Sequence, residues 1–254
     1  MINSGNTTIN EIYYQNHLIT KIYSCGGQLV YEYETPPIPP IGTFKFRATD
    51  GDIEDVEVPC DSTGTITSSE TGSESVKHSK TLEIGTCVTE IGANAFNNCY
   101  AFSGLTIPSN VITISSHAFY NFGSQASLFT GITLSEGLQT IGEDAFANSL
   151  QLERIVIPNS VTTIGRYAFR DSEALTSIEI GSGITFVGSE AFSIDNPQVQ
   201  YAKIYATTPP TLEDERYQTT RPFRGNYPIL VPSQSVSAYQ SAWPTMATRV
   251  QAMQ

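Results

Sequence analysis

From residue 88 onward one hydrophobic pattern recurs: an apolar residue, two variable ones, an apolar residue, Gly or Ser, two variable residues, then Ala-Phe. It reads "VTEIGANAF" from Val88, "VITISSHAF" from Val111, "LQTIGEDAF" from Leu138, "VTTIGRYAF" from Val161 and "ITFVGSEAF" from Ile184, at spacings of 23, 27, 23 and 23 residues. The other half of each unit alternates, as in "FSGLTIP" from Phe102, "LERIVIP" from Leu152 and "LTSIEIG" from Leu175. A period of two closed by Pro or Gly predicts a short strand. One such unit cannot hide its apolar face, so five tandem copies predict a stack in which each strand pairs with its equivalent in the next turn.

The alternation also sorts side chains. The fourth and sixth places of each strand segment point inward, and the third and fifth point outward. The outward pairs are Thr81/Glu83, Gly104/Thr106, Gly131/Thr133, Arg154/Val156, Ser177/Glu179 and Tyr201/Lys203, so small residues give way to large ones along the stack. Arg154, Glu179, Tyr201 and Lys203 are therefore the candidate protein-binding residues, since aromatic and guanidinium groups dominate interface energetics. The Ala-Phe pairs predict a structural core of Phe96, Phe119, Phe146, Phe169 and Phe192. An exposed row of rings for stacking carbohydrate is the alternative, outweighed by the usual burial of large aromatics.

"VTTIGRYAFRDSEALTSIEI" from Val161 resembles the BspA-like leucine-rich repeat, the 23-residue treponemal type of bacterial and some protozoan surface proteins, and the resemblance spans roughly residues 80–232. It implies a β-rich solenoid, a leucine-rich-repeat right-handed superhelix with the "LxxIxI" strands in a parallel sheet and the "VTxIG" segments on the opposite wall. It also implies adhesion and protein binding, with no catalytic residues. Two departures sit together in the second unit: Phe122 where Cys99, Ser149 and Ser172 stand in other units, and an insertion of four residues beside it.

The remainder divides around the repeats. Residues 1–34 predict a small hairpin module, with Gly26 and Gly27 at the turn of "IYSCGGQLVY". Residues 35–40, "TPPIPP", predict a stiff linker, and residues 41–87 a β N-terminal cap with the polar loop "DSTGTITSSETGSES". The five repeats occupy 88–205, and 206–254 predict a C-terminal capping module. There "ILVP" from Ile229 forms the last strand, and Ser233 or Ser235 caps a short helix containing Val236, Tyr239 and Trp243.

Charge narrows the partners. With 13 basic and 25 acidic residues the chain carries a net charge of −12, which repels nucleic acid and anionic lipid surfaces. No uncharged apolar run is long enough for membrane insertion. The opening "MINSGNTTINEIYYQ" lacks the basic and apolar regions of a signal peptide, which leaves export open.

Little in the chain points to chemistry. The acidic run Asp50, Asp52, Glu54, Asp55 and Glu57 lacks the glycine of a calcium-binding EF-hand loop and alternates like a strand with a wet face. His17, His78 and His117 are isolated, so no metal or cofactor is expected. Cys99 predicts a buried thiol, while Cys60 and Cys87 flank the N-terminal cap and are candidates for a disulfide. No nucleophile elbow, phosphate loop or zinc motif occurs, so the chain is not expected to be an enzyme. Two functions follow: a non-catalytic binding or adhesion module of a bacterial cell-surface or secreted protein with a protein or extracellular-matrix ligand, or a structural or receptor-binding component of a phage particle. The second rests on the missing signal peptide and on the front hairpin, which somewhat resembles short modules at the start of phage virion proteins.

Overall fold

The computed structural model describes residues 64–66, 84–124, 131–194, 196–213 and 221–254, together with the backbone strands 13–14, 17–18, 21–23, 29–32, 43–47, 56–59 and 81–83. The chain divides into two units, Met1–Gly42 and Thr43–Gln254. In the first, Tyr13–Tyr14 pairs antiparallel with His17–Leu18, and Lys21–Tyr23 pairs antiparallel with Leu29–Glu32. Gly26, Gly27, His78 and residues 35–40 lie outside the described residues.

The second unit is a parallel β-solenoid. Its "VTxIG" segments make a seven-stranded parallel wall: Thr65–Ile66, Glu90–Ile91, Thr113–Ile114, Thr140–Ile141, Thr163–Ile164, Phe186–Val187 and Thr211–Leu212. This wall has two more strands than there are Ala-Phe copies. Thr65–Ile66 falls within the expected polar loop, where Ile66 is fully buried and its strand pairs in register with Glu90–Ile91. A polar sequence thus supplies the first rung because "TI" alone satisfies the short in-out pattern. Ahead of it, Val56–Pro59, Thr43–Arg47 and Thr81–Glu83 form an antiparallel sheet in that order, which sets Glu57 opposite Lys45. The rest of the acidic run lies outside the described residues.

The "LxxIxI" strands are not one sheet. Leu105–Ile107 pairs with Ile132–Leu134, while Arg154–Ile157, Ser177–Ile180, Tyr201–Ile204, Ile229–Val231 and Val250–Ala252 form a separate five-stranded parallel sheet. The ladder is interrupted between Ile132–Leu134 and Arg154–Ile157, one step after the four-residue insertion.

Between the walls the Ala-Phe rings are fully buried and stack face to face. Centroids along Phe96, Phe119, Phe146, Phe169, Phe192 and Phe223 lie 5.2–5.3 Å apart with ring planes within 9°. That spacing is close to the rise between parallel strands, so one ring per turn fills the column. Phe122 is buried as well, stacked on Phe102 at 5.1 Å and edge-on to Phe119 at 5.3 Å. The bulky residue of the second unit therefore meets another bulky one, since Phe102 stands where Leu152 and Leu175 stand later. Cys99, Ser149 and Ser172 are buried at the equivalent place, and Cys87 is disulfide-bonded. Cys60 lies outside the described residues. The glycine of "IG" is required by close approach: a Cβ on Gly165 would stand 2.6 Å from the Glu143 backbone nitrogen.

At the C-terminal end Ser233–Ser235 forms a 3-10 turn, followed by helix α1 at Val236–Ala242 and a second 3-10 segment at Pro244–Arg249. Ser235 occupies the N-cap place of α1 but its hydroxyl makes no capping bond, because the chain enters the helix from the preceding 3-10 turn. Tyr239 and Trp243 are buried, donating to the Ala206 and Pro210 carbonyls at 2.9 and 3.2 Å. Trp243 ends the phenyl column, 5.9 Å from Phe223. The "ILVP" strand is not the last: Val250–Ala252 adds one more, too short for alternation to reveal.

Candidate functional site

Backbone register decides which outward side chains meet. Arg154, Ser177 and Tyr201 stand in one row, and Val156, Glu179, Lys203, Leu230 and Gln251 in the next. Residues diagonal across neighbouring strands lie within reach when their side chains are long. Arg154 accordingly donates through Nη2 to Glu179 Oε1 at 2.8 Å, and the Tyr205 hydroxyl donates to Glu179 Oε2 at 2.9 Å. On the third strand the Lys203 ammonium lies 4.6 Å from the centroid of the Tyr201 ring. All four candidate residues thus fall on one face, as two linked pairs. Ser177 occupies an outward place yet is buried, a small residue between two large in-row neighbours.

Exposure differs sharply across this network. The Arg154 side chain is 60% exposed and that of Glu179 13%, so the carboxylate is held and the guanidinium presented. Tyr205 is 41% exposed. Partial burial, then the hydrogen bond to Glu179 and its charge, push the Tyr205 phenol above its ordinary value, so it remains a donor at neutral pH. Sequence reasoning stopped at the fifth place of the strand and missed Tyr205, although the same alternation carries one step further to it.

Beside Arg154 the interrupted ladder opens a groove of about 270 Å³ lined by Gly131, Ile132, Thr133, Gln151, Glu153, Arg154 and Val156. Gly131 has φ +110, and among the described residues nothing lies within 4 Å of where its Cβ would be. Val156, in the wall of the groove, is 45% exposed. The rungs on either side are tied by Glu136, whose Oε1 accepts from the Asn159 backbone N–H and side-chain amide at 3.0 and 3.1 Å, while Oε2 accepts from the Ser160 N–H at 2.9 Å. These bonds hold the Glu136 carboxyl below its ordinary value.

A second polar cluster lies along the Ala-Phe turns. Asn94, His117, Asp144, Tyr167 and Glu190 all have positive φ, as do Asn98, Asn121, Asn148 and Asp171 four residues later. Asn, Asp and His are the non-glycine residues that favour this conformation; Tyr167 and Glu190 adopt it at a greater cost. Arg166 and Arg170 lie over the Tyr167 ring at 5.2 and 4.4 Å, and His117 and Arg170 approach Asp144 at 3.6 and 3.3 Å. Asp144 is nearly buried, which raises its carboxyl above the ordinary value against the pull of Arg170 and His117. Among the described residues no group of three or more His, Cys, Asp or Glu gathers as for a metal, and no helix is long and apolar enough to cross a membrane.

No curated protein matches this sequence. Among solved structures, the crystal structure of the pneumococcal vaccine antigen PcpA is similar, with a TM-score of 0.41 and 19% identity over 65% of this chain. The match covers 42% of the PcpA chain, so it spans less than half of that protein. Six copies of one repeat family account for residues 74–199, one more than the Ala-Phe motif alone reveals. The strands, the buried Ala-Phe column and this match agree: residues 74–199 of the chain are a BspA-type leucine-rich repeat region.

Proposed function

We propose that the chain is a non-catalytic protein-binding or adhesion module of a bacterial cell-surface or secreted protein, and that it binds a protein or extracellular-matrix ligand through the exposed face of its five-stranded sheet. One observation carries the reading. Arg154, Glu179, Tyr201 and Lys203, with Tyr205, form two preorganised pairs on a single face, with the guanidinium outward. Groups already held in place lose little conformational freedom on contact, which is what an interface anchor needs. The BspA-type repeat region supports the surface or secreted setting, since repeats of this kind resemble those of bacterial surface proteins.

The test measures binding of purified extracellular-matrix proteins to the immobilised chain by interferometry. For any that binds, Arg154→Ala and Tyr201→Ala are each expected to weaken affinity about tenfold or more with the melting temperature unchanged. Unaltered affinity in both variants would place the site off this face.

A further inference from the structure

The arginines of the C-terminal module differ from those of the repeats. Arg154, Arg166 and Arg170 each lie beside a carboxylate, at 2.8, 3.4 and 3.3 Å. Arg221 and Arg249, both partly buried, have no such partner among the described residues. Residues 221–254 contain three arginines and no Asp or Glu, within a chain of net charge −12. Arg249 is held in place: its Nε donates to the Tyr227 carbonyl and its Nη1 to the Phe223 carbonyl, each at 2.9 Å, and its guanidinium carbon lies 4.9 Å from the centroid of the Tyr227 ring. That leaves Nη2, which is shut off from solvent and has no hydrogen-bond acceptor, and Arg221 Nε is in the same condition. One other described arginine nitrogen is so placed, Arg170 Nε, but it lies 3.4 Å from the Asp171 carboxylate and so has a counter-charge. Arg221 stands two residues before Phe223, whose carbonyl Arg249 grips, and the two cations repel: burial holds the Arg249 guanidinium below its ordinary value, and Arg221 adds to the fall. Tyr227 cannot supply the missing charge, because burial raises its phenol and keeps it neutral.

Burying one unpaired cation is costly and burying two side by side more so, which is why folded proteins give such groups a counter-charge. A water molecule would satisfy the hydrogen bonds and leave the charge. Independently of the sheet face, we infer that Arg221 and Arg249 form a binding site for a small oxyanion of charge −2, sulfate or hydrogen phosphate. Two guanidinium charges match two negative ones, and the oxygens of such an ion accept from guanidinium N–H groups in charge-assisted bonds. Both nitrogens lie away from solvent, so a free ion suits the site where a carboxylate carried on a partner protein does not. The bound ion links Arg221, at the start of the module, to Arg249, beside the last strand Val250–Ala252, and so fastens the closed end of the solenoid.

The probe is sodium sulfate, titrated at low millimolar concentration into the full chain in a chloride buffer of fixed ionic strength, with the heat of binding measured by calorimetry and thermal melting followed by Trp243 emission. The expected result is saturable one-site binding with a dissociation constant of about 1 mM or below, and a melting temperature raised by a few degrees at saturation. Acetate, with a single charge, is expected to bind about tenfold more weakly or worse. Arg249→Met also removes two hydrogen bonds to carbonyls, so Arg221→Met, which leaves those ties in place, is the decisive variant. It is expected to weaken sulfate about tenfold or more, and to melt in chloride no lower than wild type because one of two like charges is gone. No saturable heat with the wild-type chain, acetate binding as tightly as sulfate, or Arg221→Met binding as tightly as wild type would each overturn the inference. So would sulfate binding that appears only in the double variant Asp214→Asn, Glu215→Gln, two acids outside the described residues, since the counter-charge would then belong to the chain itself.

Discussion

The solenoid has two β surfaces built from the same number of turns, and they obey different rules. The "VTxIG" wall runs unbroken through seven strands, each only two residues long, with glycines against backbone and Ala-Phe packed behind. The "LxxIxI" surface has longer strands, an interruption, and outward residues ranging from Gly to Arg. Where side chains press against backbone, every turn must be alike; where they face solvent, turns diverge. The difference separates what the repeat needs in order to stack from what it is free to present.

Substitutions should expose that contrast in order of size. Phe146→Ala removes a ring stacked on both sides and is expected to cost about 3–5 kcal/mol, lowering the melting temperature by roughly 6–20 °C for a chain of this length. A melting curve overlaying wild type would mean the column is not packed as described. Gly165→Ala, a single added methyl on the regular wall, is expected to cost about 1–3 kcal/mol because its Cβ meets backbone and not a movable side chain. On the divergent face the exposed Arg154→Ala should change stability by no more than about 0.5–1 kcal/mol, since an exposed ion pair contributes little. A loss as large as that of Gly165→Ala would erase the distinction between the two surfaces.

The smallest effect depends on pH and sits at the interruption. Because the Glu136 carboxyl is held below its ordinary value in the folded chain, its contribution is fully present above the unfolded carboxyl range and is lost as pH falls through the folded pKa. Glu136→Gln should therefore melt slightly below wild type at neutral pH, with the gap closing in acid below about pH 4. A gap that persists unchanged in acid would show that the carboxylate charge does not tie the rungs.

How far the sequence led follows the same division. The buried column was legible in Phe96 through Phe192 because one residue type recurs at fixed spacing; Phe223 continues the column from "RPFRGN", where neither the motif nor the spacing survives. Thr65–Ile66 and Val250–Ala252 were hidden because two or three residues carry no measurable period. On the face, alternation placed Arg154, Glu179, Tyr201 and Lys203 together, yet the pairing of Glu179 with both Arg154 and Tyr205 depends on diagonal register that only the folded chain shows. The insertion marked the second unit as irregular, but the break in the ladder falls one rung later, at a position whose own sequence is regular.

The end of the phenyl column has a practical meaning. The chain contains one tryptophan, and it is the residue that closes the stack, 1% exposed and hydrogen-bonded through its indole nitrogen. Its emission therefore reports the C-terminal end alone, while ellipticity reports every turn. Repeat proteins lose their turns in sequence when neighbouring interfaces differ in strength. If the cap lifts before the stack melts, the fluorescence will shift to longer wavelength at a denaturant concentration where the β signal is still intact, and the interval between the two midpoints measures how tightly the last turn is coupled to the rest.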